Sequence, residues 1–183
     1  MEHIKLRYAS QVMHNGGVVA YPTEAVWGLG CDPYDASAVQ RILQLKDRPI
    51  EKGLILIAAD INMCEHLVAH LTPEQRAMIS ASYARPTTWL IPDAGHVPNW
   101  VRGEHTSFAL RITRHPWAAG LSKAFGGPIV STSANPAGRT EARNRLRLAN
   151  YFPEGLDFIA PGSVGQSTKP SEIRDLLTGA VLR

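Results

Sequence analysis

Ser131-Thr132-Ser133-Ala134-Asn135 sets three hydroxyls and a carboxamide directly behind the apolar stretch Pro128-Ile129-Val130. At the exit of a predicted strand, and ahead of Pro136 and Gly138, such a run offers many short donors to one bound anion or polar ligand while the strand holds them in place. The same residue types also bond their own backbone in ordinary turns, so the run alone leaves binding and turn formation evenly balanced. A second motif of complementary chemistry tips the balance: Lys46-Asp47-Arg48-Pro49, with Lys52 and Gly53 just beyond. Arg48 supplies a planar fork, and Lys46 and Lys52 supply point charges suited to a polyphosphate. The plainer account of these cations is that basic residues complement the dipole at a helix C-terminus.

The elements that must position the two motifs follow from pattern. Apolar spacing predicts a helix over Ala36 to Lys46, and Pro49 makes continuation past Arg48 unfavourable. Ile4 to Met13 also reads as a helix, stopping at Asn15-Gly16-Gly17 before the short apolar strand Val18 to Tyr21, which Pro22-Thr23-Glu24 breaks. Leu54 to Ala58 is apolar throughout and predicts a buried strand. Thr72-Pro73-Glu74-Gln75 has the residue order of a capped helix start. Strands are expected at Thr87 to Ile91 and Ser107 to Ile112, the second alternating Phe108, Leu110 and Ile112 against Ala109 and Arg111. A helix from Trp117 to Phe125, capped by Gly126-Gly127, leads to the strand Ile129-Val130 and the hydroxyl run. Helix-connected and hairpin-like spacings together predict a single α/β domain over residues 1–183 with a mixed sheet.

Composition narrows the class. A chain of 183 residues, 44% hydrophobic and 19% charged, builds a sizeable core without covalent staples. Cys31 and Cys64 stand far apart with no second pair at metal-ligand spacing, which predicts no metal site and a reducing, cytoplasmic setting. No stretch approaches the ~20 apolar residues of a membrane span, and the N-terminal Glu2, His3, Lys5 and Arg7 read as no signal-peptide core. A net charge of +3 favours anionic partners mildly and allows both nucleotide and RNA.

Five motifs now stand in order: Tyr21-Pro22-Thr23-Glu24; Lys46-x-Arg48-Pro49 with Lys52-Gly53-Leu54; Leu110-Arg111-Ile112; Ser131-Thr132-Ser133-Ala134-Asn135; and Pro170-Ser171-Glu172-Ile173. In order and spacing this set resembles the YrdC/TsaC threonylcarbamoyl-AMP synthases, from Tyr21 to the C-terminus, in their short form without an extra C-terminal domain. The resemblance implies the YrdC-like α/β fold, a twisted mixed parallel/antiparallel sheet with helices around a basic cavity. It implies formation of threonylcarbamoyl-AMP and pyrophosphate from L-threonine, bicarbonate and ATP, with Mg²⁺ travelling on the ATP phosphates. A separate complex, met transiently, then passes the threonylcarbamoyl group to an adenosine beside the anticodon of certain tRNAs. By the same resemblance, ATP contacts fall on Lys46, Arg48, Lys52, Ser107, Ser133, Asn135 and Arg183, with Lys46, Arg48, Ser133 and Asn135 as the catalytic set. Threonine contacts fall on Thr23, Arg111, Ser131 and Ser171. Arg111 suits an amino-acid carboxylate because its fork engages both oxygens; the bland alternative is a surface ion pair with a carboxylate such as Glu104.

Three positions depart from the family pattern. Tyr83-Ala84-Arg85-Pro86 stands where Trp-Pro-Gly-Pro is usual, Ile57 stands in place of a common His, and Glu141 in place of Ser or Thr. A Gly serving a left-handed position would make Arg85 strain its turn by ~1–2 kcal/mol, and Arg85 is expected to crowd the site's rim. Loss of a polar contact at Ile57 and at Glu141 is expected to weaken threonine and ATP binding respectively. A different reading is an RNA-binding module without nucleotide turnover: Arg139, Arg143 and Arg147 share a face if their segment is helical, although a solvated face explains such a run more simply and no stacking aromatics accompany it.

Overall fold

The computed structural model describes residues 2–182. Eight strands, β1 (Val19–Pro22), β2 (Trp27–Gly30), β3 (Ile55–Ala58), β4 (Thr87–Pro92), β5 (Ser107–Ile112), β6 (Ile129–Ser133), β7 (Phe158–Ile159) and β8 (Glu172–Asp175), form one sheet in the order β7-β1-β2-β6-β3-β5-β4-β8. Pairing is mixed: β1/β2, β2/β6, β3/β6 and β4/β5 are antiparallel, and β1/β7, β3/β5 and β4/β8 are parallel. The helices are α1 (Glu2–His14), α2 (Ala36–Lys46), α3 (Glu65–Val68), α4 (Pro73–Ser80), α5 (Asn99–Arg102), α6 (Pro116–Phe125) and α7 (Arg145–Tyr151). None of the described helices is long and apolar enough to cross a membrane.

Local chemistry sets the helix ends. Asp35 caps α2 by accepting from the N–H groups of Ser37 and Ala38, and Thr72 and Gln75 close a reciprocal capping box on α4. At the other end of α2, Asp47 is left-handed at φ 49, the one such non-glycine among the described residues. Its N–H bonds the Gln44 carbonyl, and that of Arg48 bonds Leu43, so the chain turns sharply and Arg48 leaves the helix axis.

Strand periodicity divides the sheet into two faces. Val18, Ala20, Trp27, Leu29, Leu56, Phe108, Leu110 and Val130 belong to the larger core, with Val39, Ile42 and Leu43 of α2. Val19, Tyr21, Ile57 and Ile129 belong to a smaller core with Ala9 and Met13 of α1 and Trp117, Ala118 and Leu121 of α6. On that second face, moving two residues along β6 from buried Ile129 reaches Ser131 and then Ser133. A strand that is core at one end therefore presents hydroxyls at the other.

Several sequence expectations need correction. Ser131 to Ser133 lie within β6 rather than beyond it, because Ser131 pairs with Ile55 and Ser133 with Gly28. The missed partner is β2, whose Trp-Gly-Leu-Gly sequence has two residues with poor strand preference. Arg139 and Arg143 precede α7, so no helical face joins them to Arg147. Arg143 instead donates to the Thr168 carbonyl, and Arg147 reaches Thr140 Oγ1 at 3.4 Å.

Candidate functional site

The uncovered end of the second sheet face forms a cleft of about 150 Å³, open to solvent. Thr23, Arg111, Ser131 and Ser171 line it, as do Arg48 and Ser133. These six expected site residues come from five separate stretches of the chain, so only the fold brings them together. Gly28 lines the cleft as well: a Cβ there would stand 3.3 Å from Thr23 Cγ2 and 3.5 Å from Ser131 Oγ, taking space between the methyl of one site residue and the hydroxyl of another.

Lys46 and Asn135 act behind the wall. Lys46 is only 4% exposed. Its Nζ donates to the carbonyls of Ser133 and Asn135, with Asn135 Oδ1 at 3.5 Å, and its own carbonyl accepts from Ala137 N at 2.7 Å. Ser133 Oγ donates to Asn135 Oδ1 at 2.6 Å, while Asn135 Nδ2 donates to the carbonyls of Pro136 and Arg139. The end of α2 and the hydroxyl loop are thus one bonded unit. Burial, with Arg48 adding to it, pushes the Lys46 ammonium down to about 8 despite the opposing charge of Glu141.

An unfolded Lys46 keeps its proton to an ordinary value of 10.5, so between about 8 and 10.5 the unfolded chain binds more protons and stability rises with pH. A polyanion bound nearby favours the charged form. Nucleotide binding above about pH 8 is therefore expected to take up a proton, seen calorimetrically as a heat that depends on the buffer's ionisation enthalpy; no buffer dependence would contradict it.

Arg48 is anchored rather than loose. Its Nε and Nη2 donate to the Gly53 carbonyl at 3.3 and 2.9 Å, and Nη2 also to the Lys52 carbonyl at 3.3 Å, while Nη1 takes part in none of these bonds. The accepting turn is itself tight: Gly53 has φ +59, and a Cβ there would lie 2.6 Å from the Arg102 carbonyl oxygen, a position only glycine fills without strain. Lys52 is exposed on that turn and outside the cleft wall, its carbonyl rather than its ammonium serving Arg48. Ser107 opens β5 and also lies outside the wall. Arg183 lies outside the described residues.

On the other side of the site, Arg111 is 9% exposed and its partner is Glu24, not Glu104: Nη1 stands 3.7 Å from Glu24 Oε2. Thr23 Oγ1 donates to the Val26 carbonyl at 2.7 Å, closing the turn after β1. Ser171 Oγ accepts from buried Thr88 Oγ1 at 2.8 Å. Sequence reasoning missed Glu24, although it sits in the first motif, and the strand glycine Gly28.

The departures resolve individually. Glu141 lines the cleft with Arg48 and Ser133. Ile57 does not; it is fully buried with Tyr21 and Ile129 in the smaller core. Arg85 has no left-handed backbone, so the expected strain is absent. Its side chain is exposed and Nη2 reaches the Pro170 carbonyl at 3.4 Å, next to Ser171, so it ties two loops rather than filling the cleft. Arg85→Gly is accordingly expected to lower stability by ~0.5–1 kcal/mol through unfolded-chain entropy, measured by chemical denaturation; a gain in stability would contradict this account.

A family model named Sua5_yciO_yrdC, described as telomere recombination, matches residues 11–183. The chain is 53% identical over 179 residues to a threonylcarbamoyl-AMP synthase of Cellvibrio japonicus, covering 98% of this chain and 95% of the relative. It is 50% identical to one of Stutzerimonas stutzeri, with 98% and 96% covered. Among solved structures it resembles P. abyssi Sua5 complexed with L-threonine, with a TM-score of 0.91 and 29% identity, covering 100% of this chain and 54% of that one. It resembles E. coli YciO with a TM-score of 0.84 and 25% identity over 99% of this chain and 89% of that one.

Proposed function

The chain belongs to the family of the Sua5, YciO and YrdC proteins, and from that premise we infer that it is an L-threonylcarbamoyladenylate synthase, the activity its relatives of about half identity are named for. Threonine's amine adds to the carbon of bicarbonate, water is lost, and a carbamate forms. A carbamate oxygen attacks the α-phosphorus of ATP, and the bond to the departing pyrophosphate breaks. No covalent bond to the protein is required. Catalysis then rests on positioning the three substrates and neutralising phosphate charge.

The observation that carries this reading is one cleft lined both by a buried arginine with uncommitted donors and by a second arginine beside a hydroxyl loop. Arg111 takes the threonine carboxylate, with Thr23, Ser131 and Ser171 around the rest of the amino acid. Arg48 and Ser133 take the nucleotide phosphates, and Lys46 and Asn135 hold the loop that presents Ser133. Lys52 and Ser107 reach the nucleotide from outside the present wall, as Arg183 does in this reading. Mg²⁺ comes with the phosphates, since this ion is often held by one or two carboxylates plus phosphate oxygens. Glu141 is a carboxylate on the wall of the same cleft. An enzyme supplying an activated group for tRNA works where ATP and tRNA are, in the cytoplasm, and meets the transfer complex transiently.

Pyrophosphate release from ATP tests the reading. It is expected only when L-threonine and bicarbonate are both present, with L-serine poorer because it forgoes a methyl contact worth ~1 kcal/mol. Release that ignores threonine would overturn it.

A further inference from the structure

We propose that Glu24 is a positioning residue for the amino-acid carboxylate, acting through Arg111. The inference rests on the placement of threonine at Arg111 given above. The two oxygens of Glu24 are treated very differently by the fold. Oε1 is saturated: it accepts from Thr113 Oγ1 at 2.6 Å, from Arg114 N at 3.1 Å and from His115 N at 3.4 Å. Those donors follow β5 directly, so the strand that carries Arg111 also seats its counter-ion. Oε2 is buried, has no hydrogen-bond partner among the described residues, and faces Arg111 Nη1 at 3.7 Å.

That separation is the informative quantity. It exceeds a hydrogen bond, yet at this distance in a partly desolvated place the charges still attract strongly. Arg111 Nε is likewise buried, with no hydrogen-bond partner among the described residues. The guanidinium is therefore held in register by charge while its donors remain uncommitted, whereas a closed Arg–carboxylate fork would have occupied two of them. Glu24 is absent from the cleft wall. Burial pushes its carboxyl up, but Arg111, the Thr113 hydroxyl and the Arg114 N–H outweigh this and leave it below its ordinary value, so the counter-charge is kept at neutral pH. Its backbone is fixed as well: the Glu24 carbonyl accepts from Ser167 N at 3.0 Å, and that of Thr23 from Gly165 N at 2.9 Å.

A double-mutant cycle tests this. Glu24→Gln keeps the shape but puts an amide where Arg111 needs a charge, and is expected to raise the threonine KM about tenfold, with the ATP KM near wild type and some loss of stability from the buried Arg111 charge left without its counter-ion. In an Arg111→Lys background, where no fork remains to be aimed, the same substitution is expected to change the threonine KM by less than about twofold. Thr113→Val, which removes the bond seating Glu24 and leaves its charge, is expected to raise the threonine KM in the same direction and keeps the proposal testable if Glu24→Gln fails to fold. Equal effects of Glu24→Gln in both backgrounds, parallel losses for ATP and threonine, or an unchanged threonine KM in Glu24→Gln or Thr113→Val would each overturn the proposal. Failure of the underlying reading looks different: the unsubstituted enzyme would show no threonine-dependent turnover.

Discussion

Arg111→Ala is expected to weaken threonine binding by roughly tenfold or more, because a charge-assisted contact to a carboxylate is worth about 1.5–3 kcal/mol. ATP binding is expected to stay near wild type. The basis is separation of roles: Arg111 lies on β5 beside Glu24, whereas Arg48 is bonded to the Lys52–Gly53 turn after α2. Removing Arg111 also leaves Glu24 Oε2 as a buried carboxylate oxygen without its counter-ion, so some stability loss accompanies the binding defect. Calorimetric titration of the variant with each ligand, on protein shown to be folded by circular dichroism, separates the effects. Equal losses for both ligands would show that the two arginines are wrongly assigned.

Lys46→Met is expected to be the most damaging single change on the nucleotide side. The thioether nearly fills the same volume, so the loss is one of polarity. The carbonyls of Ser133 and Asn135 lose their buried donor, and an unsatisfied buried acceptor costs about 1–3 kcal/mol. The loop that presents Ser133 loosens, and a positive charge behind the phosphates disappears. If about 2–3 kcal/mol of this appears in the transition state, turnover falls roughly a hundredfold. The check is kcat at saturating ATP, normalised to folded protein. A variant that is less stable but turns over at the wild-type rate would make Lys46 structural glue alone.

These two residues also show what is and is not legible in sequence. The strand Ser107–Ile112 is legible to the residue because its apolar positions alternate, and the same alternation puts Arg111 opposite Phe108 and Leu110. The turn after α2 is legible from Pro49. What alternation cannot show is the partner across the sheet: Glu24 meets Arg111 through tertiary packing, and Glu104, the partner suggested by sequence, does not. The buried state of Lys46 is invisible for a similar reason, since a basic residue in a last helical turn reads as solvent-facing until the hydroxyl loop is seen to pack on it. Gly28 and Gly30 conceal β2 because strand preference counts side chains, and here their absence is what the site and the Tyr21 ring require. Arg85 shows the opposite error: a residue type foreign to the family pattern suggested a strained backbone, and the backbone is ordinary.

The most direct test of the account is the mass of the product formed from ATP, L-threonine and isotopically labelled bicarbonate with Mg²⁺. The account predicts one nucleotide product, threonylcarbamoyl-AMP, carrying a single labelled carbon and appearing in equal amount with pyrophosphate. ADP and phosphate, or AMP without the label even when the reaction is sampled early, would contradict it.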